Sequence, residues 1–156
     1  MFPSKVRQQR SLKGGKTMSK GDSGYFSGTS GEGKALIDEV QANGDKINPD
    51  EVIGITKNDD GKIIWLEEGH LAGSSGAKPS GLAHILDAHE SNFNRKGIDS
   101  SDIADFVLTA VGKGKIVGYQ GKGKGRPIYE VDYGGKTYKV AVTVGSNGYI
   151  VGANPK

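Results

Sequence analysis

The spacing of apolar residues along the chain changes from a helical to a strand-like period near Gly112. Before this point, residues 81–94 repeat their apolar positions at helical spacing, with Ser80 as a candidate N-cap. A second helix is predicted around apolar positions 103, 106, 107 and 111. After Gly112, apolar and polar residues alternate, which is the period of a β-strand.

Four strands are predicted in the last third of the chain, at residues 115–120, 127–133, 136–144 and 149–152. The Gly134-Gly135 turn and the turn at 146–148 are short, so consecutive strands should pair antiparallel. Earlier, a hairpin is predicted over 51–56 and 62–67, and a short helix over 34–42. Helices before a final antiparallel sheet indicate an α+β fold.

Residues 1–33 are rich in Gly, Ser and Lys and predict a flexible linker, which leaves residues 34–156 as one domain. The chain has 156 residues, 34% of them hydrophobic, and 26 are Gly, so a modest core is expected. It has no Cys, which excludes disulfides and Cys-ligated zinc. No apolar run is long enough to predict a membrane span.

Positive charge is concentrated at the C-terminal end of the chain. Residues 112–156 contain 8 Lys or Arg against 2 Asp or Glu, whereas residues 21–111 contain 7 against 16. Such a block favours phosphate binding, although a solvated basic surface would give the same composition. The candidate RNA-binding residues in this block are Lys113, Lys122, Lys124, Arg126, Ser146 and Asn147.

Two histidines of the 81–94 helix are the main candidates for chemistry. His84 and His89 are separated by about 140° around the helix axis, so they should not share a face as a two-histidine metal site requires. No metal and no cofactor are therefore predicted. His89 follows the apolar face and could be an ordinary core histidine, while His84 could be a capping or surface histidine.

Hydroxyl and cationic side chains on the predicted sheet complete a catalytic set. In residues 136–144, alternation places Lys139, Ala141 and Thr143 on one side and Tyr138, Val140, Val142 and Val144 on the other. Thr143 could grip a phosphate, or be present for its strand propensity alone. Metal-free RNA cleavage needs a base, a proton donor and a cation, which two histidines, a lysine and hydroxyl groups can supply.

Three segments carry a resemblance to a known family. They are Gly81-Leu82-Ala83-His84-Ile85-Leu86-Asp87-Ala88-His89, the hairpin strand from Asp60 to Glu67, and the stretch from Val142 to Val151. Over about residues 50–156 the chain resembles the barnase–EndoU–colicin–RelE superfamily of nucleases. The similar members are phage-associated domains and C-terminal toxins of contact-dependent growth inhibition and other polymorphic toxin systems.

This resemblance implies a curved antiparallel sheet behind one or two helices and a metal-independent ribonuclease, often acting on tRNA. It implies a catalytic set of His84, His89, Lys113 or Lys115, Thr143 and Tyr149. In the ribonuclease hypothesis, His89 or His84 is the base, Lys115 and Arg126 stabilise charge, and Thr143 and Tyr149 orient the scissile phosphate. A cognate immunity protein is the implied protein partner, and a host factor is an optional one. Residues 1–33 would join the toxin to a secreted or surface delivery protein, and the toxin would act in the target-cell cytoplasm.

Two other functions are compatible with the sequence. A non-catalytic nucleic-acid-binding or phage structural module on the same fold would bind RNA or DNA and leave it intact. A different toxin chemistry, such as nucleotide transfer or NAD cleavage, is a third hypothesis, although the chain has no dinucleotide-binding loop motif.

Overall fold

The fold is α+β, with three helices and two antiparallel sheets in the residues that a computed structural model describes, which are 24–71, 79–121 and 125–156. The helices are α1 (Gly31–Ala42), α2 (Gly81–Arg95) and α3 (Ile103–Lys113). The strands are β1 (Phe26–Ser27), β2 (Val52–Lys57), β3 (Ile63–Glu67), β4 (Lys115–Gln120), β5 (Arg126–Tyr133), β6 (Lys136–Val144) and β7 (Ile150–Pro155).

The strands form an N-terminal sheet in the order β1-β2-β3 and a C-terminal sheet in the order β4-β5-β6-β7. The two sheets meet just before β7, where the Trp65 amide donates to the Gly148 carbonyl at 3.0 Å. Helix α2 lies at this junction and contacts both β3 and β7. A helix at the junction can therefore carry side chains to residues of both sheets.

Helix α3 forms the centre of the core. It contacts β2, β3, β5 and β6, and eight of its 11 residues are buried. The fully buried ring of Phe106 packs edge-on against Phe93, Tyr133 and Tyr138, with centroids 5.9, 5.2 and 5.3 Å away. Because α3 is apolar around most of its circumference, both sheets can bury one face against it.

The C-terminal sheet therefore has one face against the core and one face away from it. Tyr129, Val131, Val140 and Val142 are buried on the core side. The residues that alternate with these along each strand point to the other side of the sheet, which we call the open face. Its members are Lys115, Arg126, Ile128, Glu130, Lys139, Ala141, Thr143, Gly152 and Asn154. The predicted alternation along residues 136–144 is confirmed.

The linker prediction is wrong for residues 24–33, which belong to the folded domain. Phe26 pairs with Ile55 as part of β1, and α1 begins at Gly31 rather than at residue 34. Ser30 caps α1 by accepting a hydrogen bond from the Gly33 amide at 2.9 Å. This segment lacks apolar periodicity, so only its pairing with β2 shows that it is ordered. Residues 1–23 lie outside the described residues.

The predicted helix over 81–94 and the four C-terminal strands are confirmed with small shifts of their ends. The largest shift is in β7, which continues to Pro155 instead of ending at residue 152. Pairing with β6 maintains it, since Val140 lies opposite Pro155 and the Lys156 amide donates to the Lys139 carbonyl at 2.9 Å. No helix in the described part of the chain is long and apolar enough to cross a membrane.

A shared carboxylate ties the start of the described chain to α3 and β5. The hydroxyls of Tyr25 and Tyr133 both donate to Asp105, the latter at 2.6 Å. Burial raises the pKa of both tyrosines, and the hydrogen bond to Asp105 and its negative charge raise the pKa further. Both hydroxyls therefore keep their protons in the folded chain at a pH where an unfolded tyrosine ionises.

We expect the free energy of unfolding to decrease as the pH rises above about 10, the ordinary tyrosine pKa. In that range the unfolded chain releases these two protons before the folded chain does, so the unfolded state binds fewer protons and alkali favours it. Urea unfolding followed across this range measures the effect. The double variant Tyr25→Phe/Tyr133→Phe should show a flatter dependence than the parental chain. An unchanged slope in the double variant would contradict the assignment.

Candidate functional site

Close main-chain packing fixes the first turn of α2 against the end of β3. His70 and Ser80 exchange two main-chain hydrogen bonds of 3.0 and 3.1 Å, and the Ala83 amide donates to the Glu68 carbonyl at 2.9 Å. A Cβ atom on Gly69 would lie 2.0 Å from the Ser80 carbonyl oxygen, so only glycine permits this approach. The first turn of α2 is therefore held in one position relative to both sheets.

Tyr149 lies beside this first turn. Its hydroxyl is 2.9 Å from Ser80 Oγ, and its ring packs edge-on against Trp65 at 6.2 Å. Ser80 is the N-cap residue, as predicted, but its side chain makes no capping hydrogen bond and contacts Tyr149 instead. The tyrosine is thus fixed at both its ring and its hydroxyl.

A buried carboxylate holds the tryptophan that supports Tyr149. Glu67 is 2% exposed and accepts hydrogen bonds from Trp65 Nε1 at 2.8 Å, from the Asn48 amide at 3.1 Å and from Asn48 Nδ2 at 3.0 Å. Three donors compensate for the removal of this carboxylate from water. Glu67 therefore acts as a structural group that orients the indole.

The hydroxyl of Tyr149 is protonated at neutral pH. Burial raises its pKa, the hydrogen bond with Ser80 acts in the opposite direction, and the negative charges of Glu67 and Glu51 raise the pKa again. A protonated phenol can donate a hydrogen bond to an anion. Tyr149 is therefore suited to orient a bound group rather than to act as a base.

His84 lies directly over strand β7. A Cβ atom on Gly152 would be 3.3 Å from the His84 Cδ2 atom, and Gly152 is the cross-strand partner of Thr143. His84 is also four residues after Ser80, which places the two side chains on one face of the helix. The imidazole therefore lies over the cross-strand partner of Thr143, on the helix face that follows Ser80.

His89 approaches His84 in spite of their angular separation on the helix. The two ring centroids are 6.5 Å apart with the planes at 80°. His89 is half-buried, and its Nδ1 atom is 3.1 Å from Asn92 Oδ1. The helix geometry correctly separates the two positions around the axis, but the long side chains lean together on the folded protein.

Arg126 reaches across β6 toward the same place. Its Nη1 atom donates to Asn154 Oδ1 at 3.0 Å, so the side chain spans from β5 to β7. Ile128 of β5 pairs with Ala141 of β6. When this antiparallel register is continued by two residues, Arg126 lies opposite Thr143. Ala141, which lies between these strands, is completely buried although its side is the open face. The guanidinium therefore lies over β6 close to Thr143.

We call this group the imidazole site: His84, His89, Arg126, Thr143 and Asn154, with Tyr149 at one end. The first four and Tyr149 are predicted from the sequence as candidate residues. Asn154 is missed as a site residue, since the last strand is predicted only as far as residue 152. Gly152 is missed because it has no side chain that could suggest a role. Had this strand been extended with the same alternation, Asn154 would have been placed beside Ala141.

Lys113 and Lys115 are not brought to the imidazole site. Lys115 lies opposite Glu130 at the other end of the open face, with its Nζ atom 4.0 Å from that carboxylate. Strand spacing puts it roughly 20 Å from Gly152. Lys113 and Lys115 instead line a cavity of about 420 Å³ whose other members include Glu130 and Asp132. Among the candidate cations in the described residues, Arg126 is the one that binds a residue of β7, the strand that His84 covers.

The remaining candidate RNA-binding residues lie at the same end of the sheet as Thr143 or outside the described residues. Ser146 and Asn147 are exposed in the turn between β6 and β7. Asn147 Oδ1 accepts a hydrogen bond from the Tyr149 amide at 3.1 Å, which stabilises this turn. Lys122 and Lys124 lie outside the described residues. In the described ranges, no three His, Asp or Glu side chains form a group that could hold a metal ion.

The chain matches no protein-family model and no curated protein sequence. The resemblance to the nuclease superfamily therefore stays a prediction, and the geometry of the imidazole site has to carry any functional argument.

Gly152→Ala should displace the His84 imidazole, because the new methyl group would be 3.3 Å from its Cδ2 atom. We expect a changed His84 side-chain resonance in proton–nitrogen correlation spectra and little loss of stability. Gly118→Ala is the matched control, since a Cβ there would meet only one atom, at 4.0 Å, on the same sheet. Identical His84 resonances in Gly152→Ala and the parental chain would contradict the placement of this ring.

Proposed function

We propose that the chain is a metal-independent endoribonuclease that cleaves RNA through attack of a 2′-hydroxyl on the adjacent phosphate. The observation that carries this proposal concerns two imidazoles whose ring centroids are 6.5 Å apart. One of them, His84, lies over Gly152, which pairs with Thr143, and two residues further along β7 Asn154 binds the guanidinium of Arg126. The reaction requires a base, an acid and a charge-stabilising cation around one phosphodiester. All three kinds of group are present within the imidazole site.

The contact between His89 and Asn92 suggests how the two histidines divide the proton transfers. An amide oxygen only accepts hydrogen bonds, so Asn92 Oδ1 favours a proton on His89 Nδ1. Neutral His89 then has its Nε2 lone pair free, as a general base needs. We therefore assign the base to His89 and the acid to His84.

In the proposed reaction, His89 removes the proton of the 2′-hydroxyl and the 2′-oxygen forms a bond to phosphorus. The bond from phosphorus to the 5′-oxygen breaks, and His84 gives its proton to that oxygen. The products are a 2′,3′-cyclic phosphate and a 5′-hydroxyl. Arg126 stabilises the charge of the pentavalent phosphate, since a guanidinium binds two of its oxygens at once.

Thr143 and Tyr149 are proposed to orient the phosphate without exchanging protons with it. Thr143 lies beside both Arg126 and Gly152, and the protonated hydroxyl of Tyr149 is a donor at the other end of the site. Lys115, which the sequence suggests as the catalytic cation, has no part in this proposal because of its distance from the histidines.

The biological setting is proposed on the sequence resemblance and on charge. We propose a C-terminal toxin domain of the barnase–EndoU–colicin–RelE type, delivered by a larger protein and acting on tRNA in the target-cell cytoplasm. A cognate immunity protein with an acidic surface would then cover the open face, where Lys115, Arg126 and Lys139 are exposed. The C-terminal sheet has α3 on its core side and Arg126 and Thr143 on its open face. This arrangement supports the proposal of a barnase–EndoU–colicin–RelE-type domain.

His84→Ala and His89→Ala should each reduce cleavage of total tRNA by about 10²- to 10⁴-fold, which is the usual contribution of general acid–base catalysis. Cleavage is measured with EDTA present, and RNA termini are mapped for cyclic phosphates. Asp87→Ala, an exposed position on the same helix, is the matched control and should cleave at the parental rate. Circular dichroism checks that every variant is folded.

Two results would contradict the proposal. Parental cleavage rates in both histidine variants would exclude the imidazole site. Binding of RNA without any cleavage by the parental chain would favour the non-catalytic nucleic-acid-binding module instead.

A further inference from the structure

A cavity of about 330 Å³ lies where β6 begins and β7 ends. Four lysines line it: Lys96 at the end of α2, Lys136 and Lys139 in β6, and Lys156 just after β7. Thr137, Tyr138 and Pro155 complete its lining. We call it the lysine cavity, and none of its residues is among the sequence-based candidates for binding.

No Asp or Glu side chain belongs to the lining of the lysine cavity. Ion pairs within the described ranges join other residues, Lys57 with Glu39 and Lys115 with Glu130. Glu130 lies opposite Lys139 in the sheet register, but its carboxylate is directed to Lys115. Asp132 is close to the rim and accepts a hydrogen bond from Thr137 at 2.7 Å. Four ammonium groups around one concave surface, with no Asp or Glu side chain in its lining, favour the binding of an anion.

The same secondary-structure elements connect the lysine cavity to the imidazole site. Along β6, Lys139 is four residues from Thr143, and both belong to the open face. Four strand residues correspond to roughly 13–14 Å. Helix α2 runs alongside β7 and has His84 near one end and Lys96 just beyond the other. Asn154, which binds Arg126 in the imidazole site, is next in sequence to Pro155 of the cavity lining, so the two places are neighbours along β7.

We propose that the lysine cavity is a second subsite for the sugar–phosphate backbone of the RNA strand that is cleaved at the imidazole site. This inference rests on the proposed function for the identity of the cleaved strand. The separation corresponds to roughly four stacked nucleotides at about 3.4 Å each, and to fewer when the strand is extended. The cavity thus binds a phosphate a few nucleotides from the scissile one and favours substrates longer than a dinucleotide.

Binding of single-stranded DNA tests this subsite independently of cleavage, because DNA lacks the 2′-hydroxyl that attacks the phosphate. Fluorescence anisotropy is measured with one probe of about 12 nucleotides and one of about three, over a range of salt concentrations. Lys96→Gln/Lys139→Gln should weaken binding of the long probe about ten-fold at low salt. It should lower the slope of log affinity against log salt by roughly 1.4, which is about 0.7 for each lost contact, and should leave the short probe unaffected.

Lys34→Gln/Lys46→Gln is the matched control, because both lysines are exposed and lie on or just after α1. This variant should bind both probes as the parental chain does. Unchanged affinity and salt slope for the long probe in Lys96→Gln/Lys139→Gln would overturn the subsite. Polyglutamate is titrated in parallel as a model of an acidic polypeptide. If Lys96→Gln/Lys139→Gln loses polyglutamate binding but binds DNA as the parental chain does, the subsite is overturned and the cavity is assigned to an acidic protein.

Failure of the subsite and failure of the proposed catalysis give different results. If the parental chain leaves RNA intact but the lysine variant loses affinity for the long probe, the subsite stands and the ribonuclease proposal fails. If the parental chain cleaves RNA and the lysine variant keeps its affinity and its KM for tRNA, the ribonuclease proposal stands and the subsite fails. When both hold, the lysine variant raises KM for tRNA and leaves kcat near the parental value.

Discussion

Burial of α3 between two sheets is the constraint on which the remaining structure depends. The helix is apolar on most of its surface, and both sheets turn their apolar faces toward it. In a strand, successive side chains point to opposite faces, so every apolar residue directed at α3 directs its neighbours outward. The open face of the C-terminal sheet, with Arg126, Lys139 and Thr143, follows directly from this burial.

Helix α2 supplies the chemistry that the sheet lacks. It is held at the junction of the two sheets by the close approach of Gly69 to Ser80 and by the hydroxyl contact of Ser80 with Tyr149. From this position it brings both imidazoles to the edge of the open face. The rigidity of the junction matters for any reaction there, because acid–base groups must stay within hydrogen-bonding reach of one phosphate.

The cations along the open face differ in kind as well as in place. The guanidinium of Arg126 binds Asn154 of β7, the strand that His84 covers, and a planar group there can hold two phosphate oxygens. The four ammonium groups lie where β6 begins and β7 ends, and a flexible point charge there is enough to attract a backbone phosphate. In the proposed ribonuclease, the ammonium groups would attract the backbone of an RNA strand, and Arg126 with the histidines would hold the phosphate to be cleaved in a defined geometry.

The sequence by itself determined the elements and their types, because the period of apolar residues is a local property. It therefore predicted α2, the antiparallel strands of the C-terminal sheet and the facing of Thr143, whereas residue chemistry and the family resemblance supplied His84, His89 and Arg126 as candidates. Tertiary structure alone decided that residues 24–33 join the fold, that Asn154 and Arg126 meet across β6, and that Lys115 stays apart from the histidines. These outcomes depend on strand register and on close contacts between distant segments, neither of which is encoded in any local pattern.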